Sequence, residues 1–225
     1  MTEGSDAQQV LQYIKSFVDT NDSIAVLQQI PYKKPDNNFS ANHPVYDALT
    51  QCFPSRKYTM LQNKTHNYGC IVLTTVIVSK MPNIVAAKLP TTNREAAARI
   101  ARGIPIVIYG LHAKNGKEDN RSYLQSLNTI NADILLGDFN AGDYSIYAQH
   151  DCQNIDVFQR ILKDHVCICN MPTKEVYNEE GSIIRKSCID HVFARRKLVT
   201  RCSNLIVHED IQMSDHYPIT FDLDV

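Results

Sequence analysis

The sequence predicts an α/β sandwich, in which two β-sheets pack together and helices cover their outer faces. Short apolar runs of strand length alternate along the chain with segments whose apolar residues recur at helical spacing. No internal repeat or low-complexity tract interrupts this alternation over the 225 residues. Because 44% of the residues are apolar, the chain can bury a large core. We therefore expect one domain that spans residues 1–225.

The N-terminal part begins with a predicted helix that leads into a buried strand. Apolar residues recur at helical spacing over residues 10–18, and the polar pair Asn21-Asp22 then breaks the pattern before the apolar run 24–27. Residues 31–45 contain three prolines together with Asn, Asp and Ser, a composition typical of a surface loop.

The middle of the chain predicts two strands with a helix between them. Residues 70–78 form a β-branched run that is long enough for a central strand. Asn93 can cap a helix that continues through Arg102, and Gly103 lies just beyond its end. The apolar residues 104–111 predict the next strand.

The C-terminal half continues the alternation of helices and strands. Asp119 or Asn120 can cap a second helix that carries apolar residues as far as Ile130. The remaining predicted elements are a strand over 133–136, a third helix over 158–165, a strand over 189–194, and a final strand over 219–225 in which apolar and polar residues alternate.

The composition is that of an ordinary soluble protein. The formal net charge is −1, so any nucleic-acid partner must be recognised by a local patch of charge. The seven cysteines lack the C-x-x-C spacing of a zinc pair and are expected to be free thiols. No leader opens the chain, and no apolar run approaches the ~20 residues that cross a bilayer. We therefore expect a cytoplasmic protein without a membrane partner.

Gly137-Asp138-Phe139-Asn140 places an acid and an amide two residues apart where a buried strand is expected to end. The period of a strand points both side chains to one side, and a carboxylate there can take a proton from a water that the amide helps to hold. The same four residues are also a common turn sequence. This motif alone is thus consistent with either a site or an Asx-turn.

Two further segments supply acids and histidines. Asp190 lies on a predicted apolar strand, and Asp215-His216 precedes the final strand. A buried carboxylate is costly to desolvate unless it is paired, and an imidazole with one nitrogen fixed by a carboxylate can donate from the other nitrogen to a phosphate. His112 follows the strand over 104–111 and could also be an ordinary loop histidine. Asp215 is likewise consistent with a capped loop.

The order of these motifs resembles the endonuclease/exonuclease/phosphatase family, whose fold is called DNase I-like. The matching elements are His112, the motif over 137–140, Asp190 and Ser214-Asp215-His216. The resemblance covers about residues 8–225. It implies a two-sheet α/β sandwich and hydrolysis of a phosphodiester by activated water, with Mg²⁺, or alternatively Mn²⁺, as the cofactor.

The resemblance also implies a catalytic role for each matching residue. Asp138 would activate the attacking water, and Asn140 would orient it. His216, steadied by Asp190, would contact the scissile phosphate. His112 would assist at the phosphate or at the leaving oxygen.

The metal side of the expected site departs from the family pattern. Asp215 would help to hold the ion, but Gln29 stands where the family usually has a metal-binding Glu. An amide lacks the negative charge that a divalent ion favours, so we expect weaker metal affinity. The family's first strand, which carries an Asn, is also missing, because residues 1–9 are too polar to form it. Truncation, drift of the site, or a deliberate Glu→Gln change would each account for these departures.

A nuclease is the leading functional hypothesis. Residues 185–201 contain six basic residues and one acid, a balance that suits a polyanionic backbone. The residues expected to bind nucleic acid are Arg185, Lys186, Arg195 and Arg196. A solvated charged turn is the other interpretation of this segment. The alternatives in function are a phosphatase of the same fold, or a catalytically weakened binding protein because of Gln29. Endo- or exonucleolytic action and the oligomeric state stay open.

Overall fold

Thirteen strands and four α-helices lie in the parts of the chain that the computed structural model describes. These parts are residues 5–20, 23–31, 43–62, 68–74, 78–80, 95–100, 105–113, 117–143, 152–161, 163–211 and 213–225. The chain separates into two compact units. Unit 1 comprises Met1–Pro82 and Thr91–His112, and unit 2 comprises Asn83–Pro90 and Ala113–Val225. The expectation of a single domain stays a prediction.

Unit 1 contains a three-stranded antiparallel sheet with two helices packed against it. Its first elements are α1 (Ser5–Thr20), β1 (Ile24–Pro31), α2 (Pro44–Cys52), β2 (Thr59–Gln62) and β3 (Tyr68–Thr74). The strand order is β1-β3-β2. Helical spacing in α1 puts Leu11, Ile14 and Val18 on one buried face, where they join Ile30 and Leu49 in the core.

The segment expected to be a loop over 31–45 has structure at both of its ends. Pro31 closes β1, and Pro44 opens α2. Proline suits the first turn of a helix because its missing N–H would have no partner there, and the His43 ring accepts a hydrogen bond from the Val45 N–H as a cap. Residues 32–42 lie outside the described residues.

Unit 1 also contains an antiparallel meander in the order β4-β5-β6. Its strands are β4 (Val78–Lys80), β5 (Glu95–Ile100) and β6 (Ile106–His112). The helix predicted over 93–102 is wrong, since 95–100 is a strand. Its alanines favour a helix as isolated residues, but β5 pairs with strands on both sides, and that pairing satisfies its backbone groups. The predicted strand over 70–78 ends at Thr74, and residues 75–77 lie outside the described residues.

Unit 2 is built around two long antiparallel strands. Its elements are α3 (Lys117–Ser126), β7 (Ile134–Asp143), β8 (Cys152–Gln153), α4 (Ile155–Ile161), β9 (His165–Cys167), β10 (Lys174–Tyr177), β11 (Ile183–Arg195), β12 (Cys202–Val207) and β13 (Ile219–Leu223), with 3₁₀ turns at Leu127–Thr129 and Arg196–Arg201. β11 pairs with β7, β9 and β10, while β8 pairs with β7. β12 and β13 pair with each other.

Two helix predictions in unit 2 need correction. Asn120 does not cap α3 but lies inside it, where its Nδ2 donates to Phe139 O at 2.8 Å and its Oδ1 accepts from Asn154 at 2.8 Å. It therefore ties α3 to β7. The third helix starts at Ile155 and does not reach His165. His165 instead lies in β9, where it pairs with Arg195 of β11. Strand pairing with β11 overrides the helical spacing there.

His191 belongs to the core between β7, α4 and β11. Its Nε2 bonds to Ala141 O at 2.9 Å, and its ring packs against Phe139, Phe158 and Phe193. Burial lowers the His191 pKa and so favours the neutral ring. The adjacent Gly142 has φ 129°, and a Cβ on it would lie 2.3 Å from Cys188 O, so only glycine fits this approach of β7 to β11.

Among the described residues, no helix is both long and apolar enough to cross a membrane. The cysteines whose side chains are described form no disulfide; they are Cys52, Cys167, Cys169, Cys188 and Cys202.

Candidate active site

Asp138 and Asn140 lie within β7 rather than at its end, at a bulge. Between the pairs Cys188↔Asp143 and Asp190↔Asp138, β7 advances five residues while β11 advances two. Such bulges redirect side chains and are common beside active sites. Asn140 has φ 45°, and its N–H donates to Asp138 Oδ1 at 2.7 Å. The Asx-type contact that the turn interpretation predicted is therefore present inside the strand.

Both β7 side chains are buried and held in place. Asp138 is 3% exposed and Asn140 is 8% exposed. The Asn140 Nδ2 donates to Ala113 O at 2.8 Å, and Ala113 N donates to Asp138 O at 2.7 Å. Ala113 thus holds the Asn140 amide and the Asp138 backbone together.

Asp190 and His216 form a hydrogen-bonded pair in unit 2. Asp190 lies opposite Asp138 across β7 and β11, and its Oδ2 accepts from His216 Nδ1 at 2.8 Å. The Thr173 hydroxyl donates to the same oxygen at 2.7 Å and accepts from Asp190 N at 3.1 Å. With Nδ1 committed to Asp190, the Nε2 of His216 is the ring atom available to other groups.

Lys174 lies between Asp215 and His216 and joins the cluster that Asp138, Asp190 and His216 form. Its Nζ lies 2.9 Å from Asp215 Oδ2 and 3.0 Å from His216 Nε2. Lys174 is held there by its β-bridge to His216, and the neighbouring Tyr217 N donates to Thr173 O. Sequence reasoning missed Thr173 and Lys174, because only this long-range pairing brings them to the cluster and no local pattern marks them.

The cluster shifts the pKa values of its acids and its imidazole. Burial, followed by the negative charge of Asp190, raises the pKa of Asp138 from 3.8 to about 7. Burial is the largest influence on His216 and opposes its charge, but the hydrogen bond to Asp190 and the negative charges of Asp190 and Asp138 together outweigh burial and raise the pKa of the ring. Burial is likewise the largest influence on Asp215 and opposes its charge, but the hydrogen bond from Lys174 and the positive charges of His216 and Lys174 together lower its pKa.

The cluster has the chemistry of a cation site. Ligand atoms of Asp138, Asp190 and His216 all lie within 4.8 Å of one another. The negative charge of Asp190 adds to burial in raising the pKa of Asp138, and a bound cation would relieve the repulsion between the two carboxylates. Carboxylate oxygens are hard ligands that suit Mg²⁺. The carboxylates of Asp138 and Asp190 therefore fit a hard divalent ion.

The other two predicted site residues, Gln29 and His112, contact each other in unit 1. Gln29 is in a bulge of β1 with φ 52°, and its Nε2 lies 2.7 Å from His112 Nε2. His112 is the last residue of β6 and is buried. The amide expected to face a metal is therefore hydrogen-bonded to an imidazole.

The four basic residues expected to bind nucleic acid do not form one cluster. Arg185 and Arg195 are ten residues apart on β11, a separation of up to about 33 Å along a strand. Lys186 pairs with Glu175 at 2.8 Å and Glu209 at 3.2 Å. The guanidinium groups of Arg195 and Arg196 donate to backbone carbonyls of Ala132 and Lys163 respectively. The basic residues are dispersed because most of them lie along one extended strand.

Three solved structures resemble this chain along nearly its whole length. The endonuclease domain of TRAS1, a telomere-specific non-LTR retrotransposon, has a TM-score of 0.70 and 16% identity, and the match covers 99% of this chain and 94% of that one. The 3′ phosphatase NExo from Neisseria, bound to a product DNA hairpin, has a TM-score of 0.65 and 16% identity, with 96% and 94% covered.

The third structure is an endonuclease/exonuclease/phosphatase protein from Beutenbergia cavernae DSM 12333, with a TM-score of 0.61 and 17% identity over 98% of this chain and 66% of that one. The predicted fold class is thereby confirmed. A family model described as endonuclease-reverse transcriptase matches residues 106–220, and no curated protein matches the sequence.

Proposed function

Because this chain belongs to the endonuclease/exonuclease/phosphatase family of DNase I-like proteins, whose members with this fold include nucleases and phosphatases, we propose that it is a divalent-metal-dependent nuclease. The observation that carries the proposal is the meeting of two hydrogen-bonded pairs in unit 2, Asp138 with Asn140 and Asp190 with His216, which strand pairing places opposite each other. Two of the similar structures are described as an endonuclease and as a phosphatase bound to DNA, which favours a nucleic-acid substrate.

Asp138 is proposed as the general base that takes a proton from the attacking water. A base works best when its pKa lies near the working pH, and the pKa of Asp138 is raised to about 7. Asn140, which is fixed through Ala113, would orient the water. The role proposed for each residue rests on the resemblance as well as on this geometry.

His216 is proposed to donate to a phosphate oxygen in its charged form, in which Nε2 carries a proton and no longer accepts from Lys174. Asp190 is proposed to keep the ring oriented and to favour that form. The Asp190 carboxylate bonds the other ring nitrogen at 2.8 Å, and it is held in turn by Thr173. Donors aimed at developing negative charge supply a large part of catalysis in such reactions. An Mg²⁺ or Mn²⁺ ion near these acids would add positive charge to the phosphate and to the leaving oxygen.

A cleavage assay tests the proposed function. The protein is incubated with labelled duplex DNA, single-stranded DNA and RNA in the presence of Mg²⁺, Mn²⁺ or EDTA. We expect products of internal or terminal phosphodiester cleavage with either ion and none with EDTA. Release of inorganic phosphate from a 3′-phosphorylated strand, without chain cleavage, would instead identify a phosphatase. Absence of hydrolysis on every substrate would contradict both.

A catalytically weakened binding protein is the second candidate, and Gln29 favours it. Gln29→Glu is expected to raise Mg²⁺ affinity and the cleavage rate if residue 29 serves the metal, since it restores a negative charge. The carboxylate would also raise the pKa of His112, which Gln29 contacts at 2.7 Å. Isothermal titration with Mg²⁺ and an NMR titration of His112 measure these effects separately.

The outcome of Gln29→Glu separates the two candidates. A higher His112 pKa with unchanged metal affinity and rate would show that the substitution is accommodated but that residue 29 does not serve the metal. Gln28→Glu, at the neighbouring half-buried position in the same strand, is the matched control for the added charge.

A further inference from the structure

Lys174 places a fixed positive charge among the acids of unit 2. Its Nζ lies 2.9 Å from Asp215 Oδ2 and 3.0 Å from His216 Nε2. His216 bonds Asp190 through its other ring nitrogen, and Asp190 lies opposite Asp138 across β11 and β7. Lys174 is therefore part of the cluster to which Asp138 belongs.

The ammonium group has donor capacity left for a ligand. A lysine ammonium carries three N–H donors and accepts nothing. Asp215 Oδ2 accepts from one of them, and His216 Nε2, which lies 3.0 Å away, accepts from a second only while that nitrogen carries no proton. The Lys174 side chain is 24% exposed, so solvent reaches part of it. A third donor next to an imidazole is well suited to an oxygen of an anionic ligand.

Lys186, another basic side chain close in sequence to the cluster, is committed elsewhere. Its Nζ bonds Glu175 and Glu209. Glu175 is buried, which opposes its charge, but the hydrogen bonds from Lys186, Tyr177 and Tyr217 and the charge of Lys186 together lower its pKa to about 2. Removing Lys186 from such a pair leaves a buried charge uncompensated. Lys174, by contrast, pairs with Asp215, which is 57% exposed and can be solvated when the lysine turns to a ligand.

We propose that Lys174 is a substrate-binding residue that donates from Nζ to a non-bridging oxygen of the scissile phosphate, beside His216. This inference rests on the proposed function and extends it, because it assigns the phosphate a protein contact that does not depend on a metal ion. A residue that only orients Asp215 and His216 would leave the number of phosphate contacts unchanged. Counting those contacts therefore tests the proposal.

The number of phosphate contacts is obtained from the salt dependence of binding to an uncleaved duplex in EDTA. The dissociation constants of the wild type, Lys174→Gln, Lys174→Arg and Lys163→Gln are measured by fluorescence anisotropy over a series of KCl concentrations. Each lost phosphate contact flattens the slope of log K against log[salt] by about 0.9. We expect this change, with roughly tenfold weaker binding, in Lys174→Gln alone.

Lys163→Gln is the matched control for lost charge. Lys163 is exposed in the turn before β9, and β9 pairs with the Arg195 end of β11, five residues or about 17 Å from Asp190. Lys174→Arg keeps the charge and is expected to keep the wild-type slope. Identical slopes in the wild type and Lys174→Gln would overturn the proposal.

A phosphate probe separates this inference from the proposed function. If the wild type binds no duplex, its affinity for inorganic phosphate is measured by calorimetry. Weaker phosphate binding in Lys174→Gln than in Lys163→Gln would support the Lys174 contact even though the nucleic-acid assignment had failed. Equal phosphate affinities would overturn it.

Amine acetylation of the wild type provides a measurement that needs no variant to fold. We expect the bound duplex, or bound phosphate, to protect Lys174 from acetylation while Lys163 reacts at an unchanged rate. Equal labelling of Lys174 with and without the ligand would contradict the proposal.

Discussion

Asp138→Asn is expected to lower kcat/KM for phosphodiester cleavage by about 10³-fold, within the range that general bases contribute. The amide keeps the size of the side chain and can still accept the hydrogen bond from Asn140 N, which lies 2.7 Å from Oδ1. It cannot take a proton from water. Rate measurements under substrate-limiting conditions with Mg²⁺ give the loss directly, and a rate within tenfold of the wild type would contradict the proposed role.

The same substitution is expected to stabilise the metal-free protein at neutral pH. The folded-state pKa of Asp138 is raised from 3.8 to about 7, so between these values the folded state binds more protons than the unfolded state, and stability falls as pH rises. The neutral amide of the variant carries no such cost. Each pKa unit corresponds to about 1.4 kcal/mol, so the gain at pH 8 in EDTA should be a few kcal/mol at most and should vanish below about pH 4.

Asp164→Asn is the matched control for both measurements. Asp164 is an exposed residue of unit 2 that precedes β9, and its loss of charge is expected to leave both the rate and the melting temperature close to those of the wild type. A lower melting temperature for Asp138→Asn at pH 8 would show that burial of the charged carboxylate does not destabilise the fold.

His216→Gln and Asp190→Asn are each expected to lower cleavage by about 10²-fold or more. His216 loses its phosphate donor in the first variant. In the second, the ring loses the partner that orients it at 2.8 Å and raises its pKa. Because the two residues act as a pair, the double variant should be little worse than either single variant.

Kinetics of the three variants and an NMR titration of His216 test this coupling. Asp190→Asn should lower the pKa of His216, since it removes the hydrogen-bonded carboxylate. Multiplicative losses in the double variant would contradict a shared role. His208→Gln is the control for loss of an imidazole, because His208 lies between β12 and β13 and contacts Thr220.

Elements with strong local periodicity were predictable from the sequence. The helical spacing of α1 buries Leu11, Ile14 and Val18 as expected, and apolar runs identified the strands β1, β6 and β7. β5 was not predictable, because Ala-rich residues 95–100 favour a helix locally and become a strand only through pairing with β4 and β6. α2 and β12 were missed, since neither carries a long enough periodic signal.

The order and chemical types of the residues in the candidate site were determined by the sequence alone. Asp138, Asn140, Asp190 and His216 stand in motifs whose succession resembles one family, and that resemblance needs no coordinates. Strand periodicity also predicted that the side chains of Asp138 and Asn140 would point to one side. In β7 a bulge and the left-handed backbone of Asn140, rather than regular alternation, set their positions.

Only the tertiary structure decided which side chains meet. Strand register sets these contacts, and a shift of one residue turns every side chain of a strand to the opposite face. Register and the bulge in β7 bring Asp138 opposite Asp190, and the bridge between Lys174 and His216 brings in a lysine that no motif marked. The extension of β11 disperses the basic run over 185–201. Such contacts join residues far apart in the chain, so no local pattern encodes them.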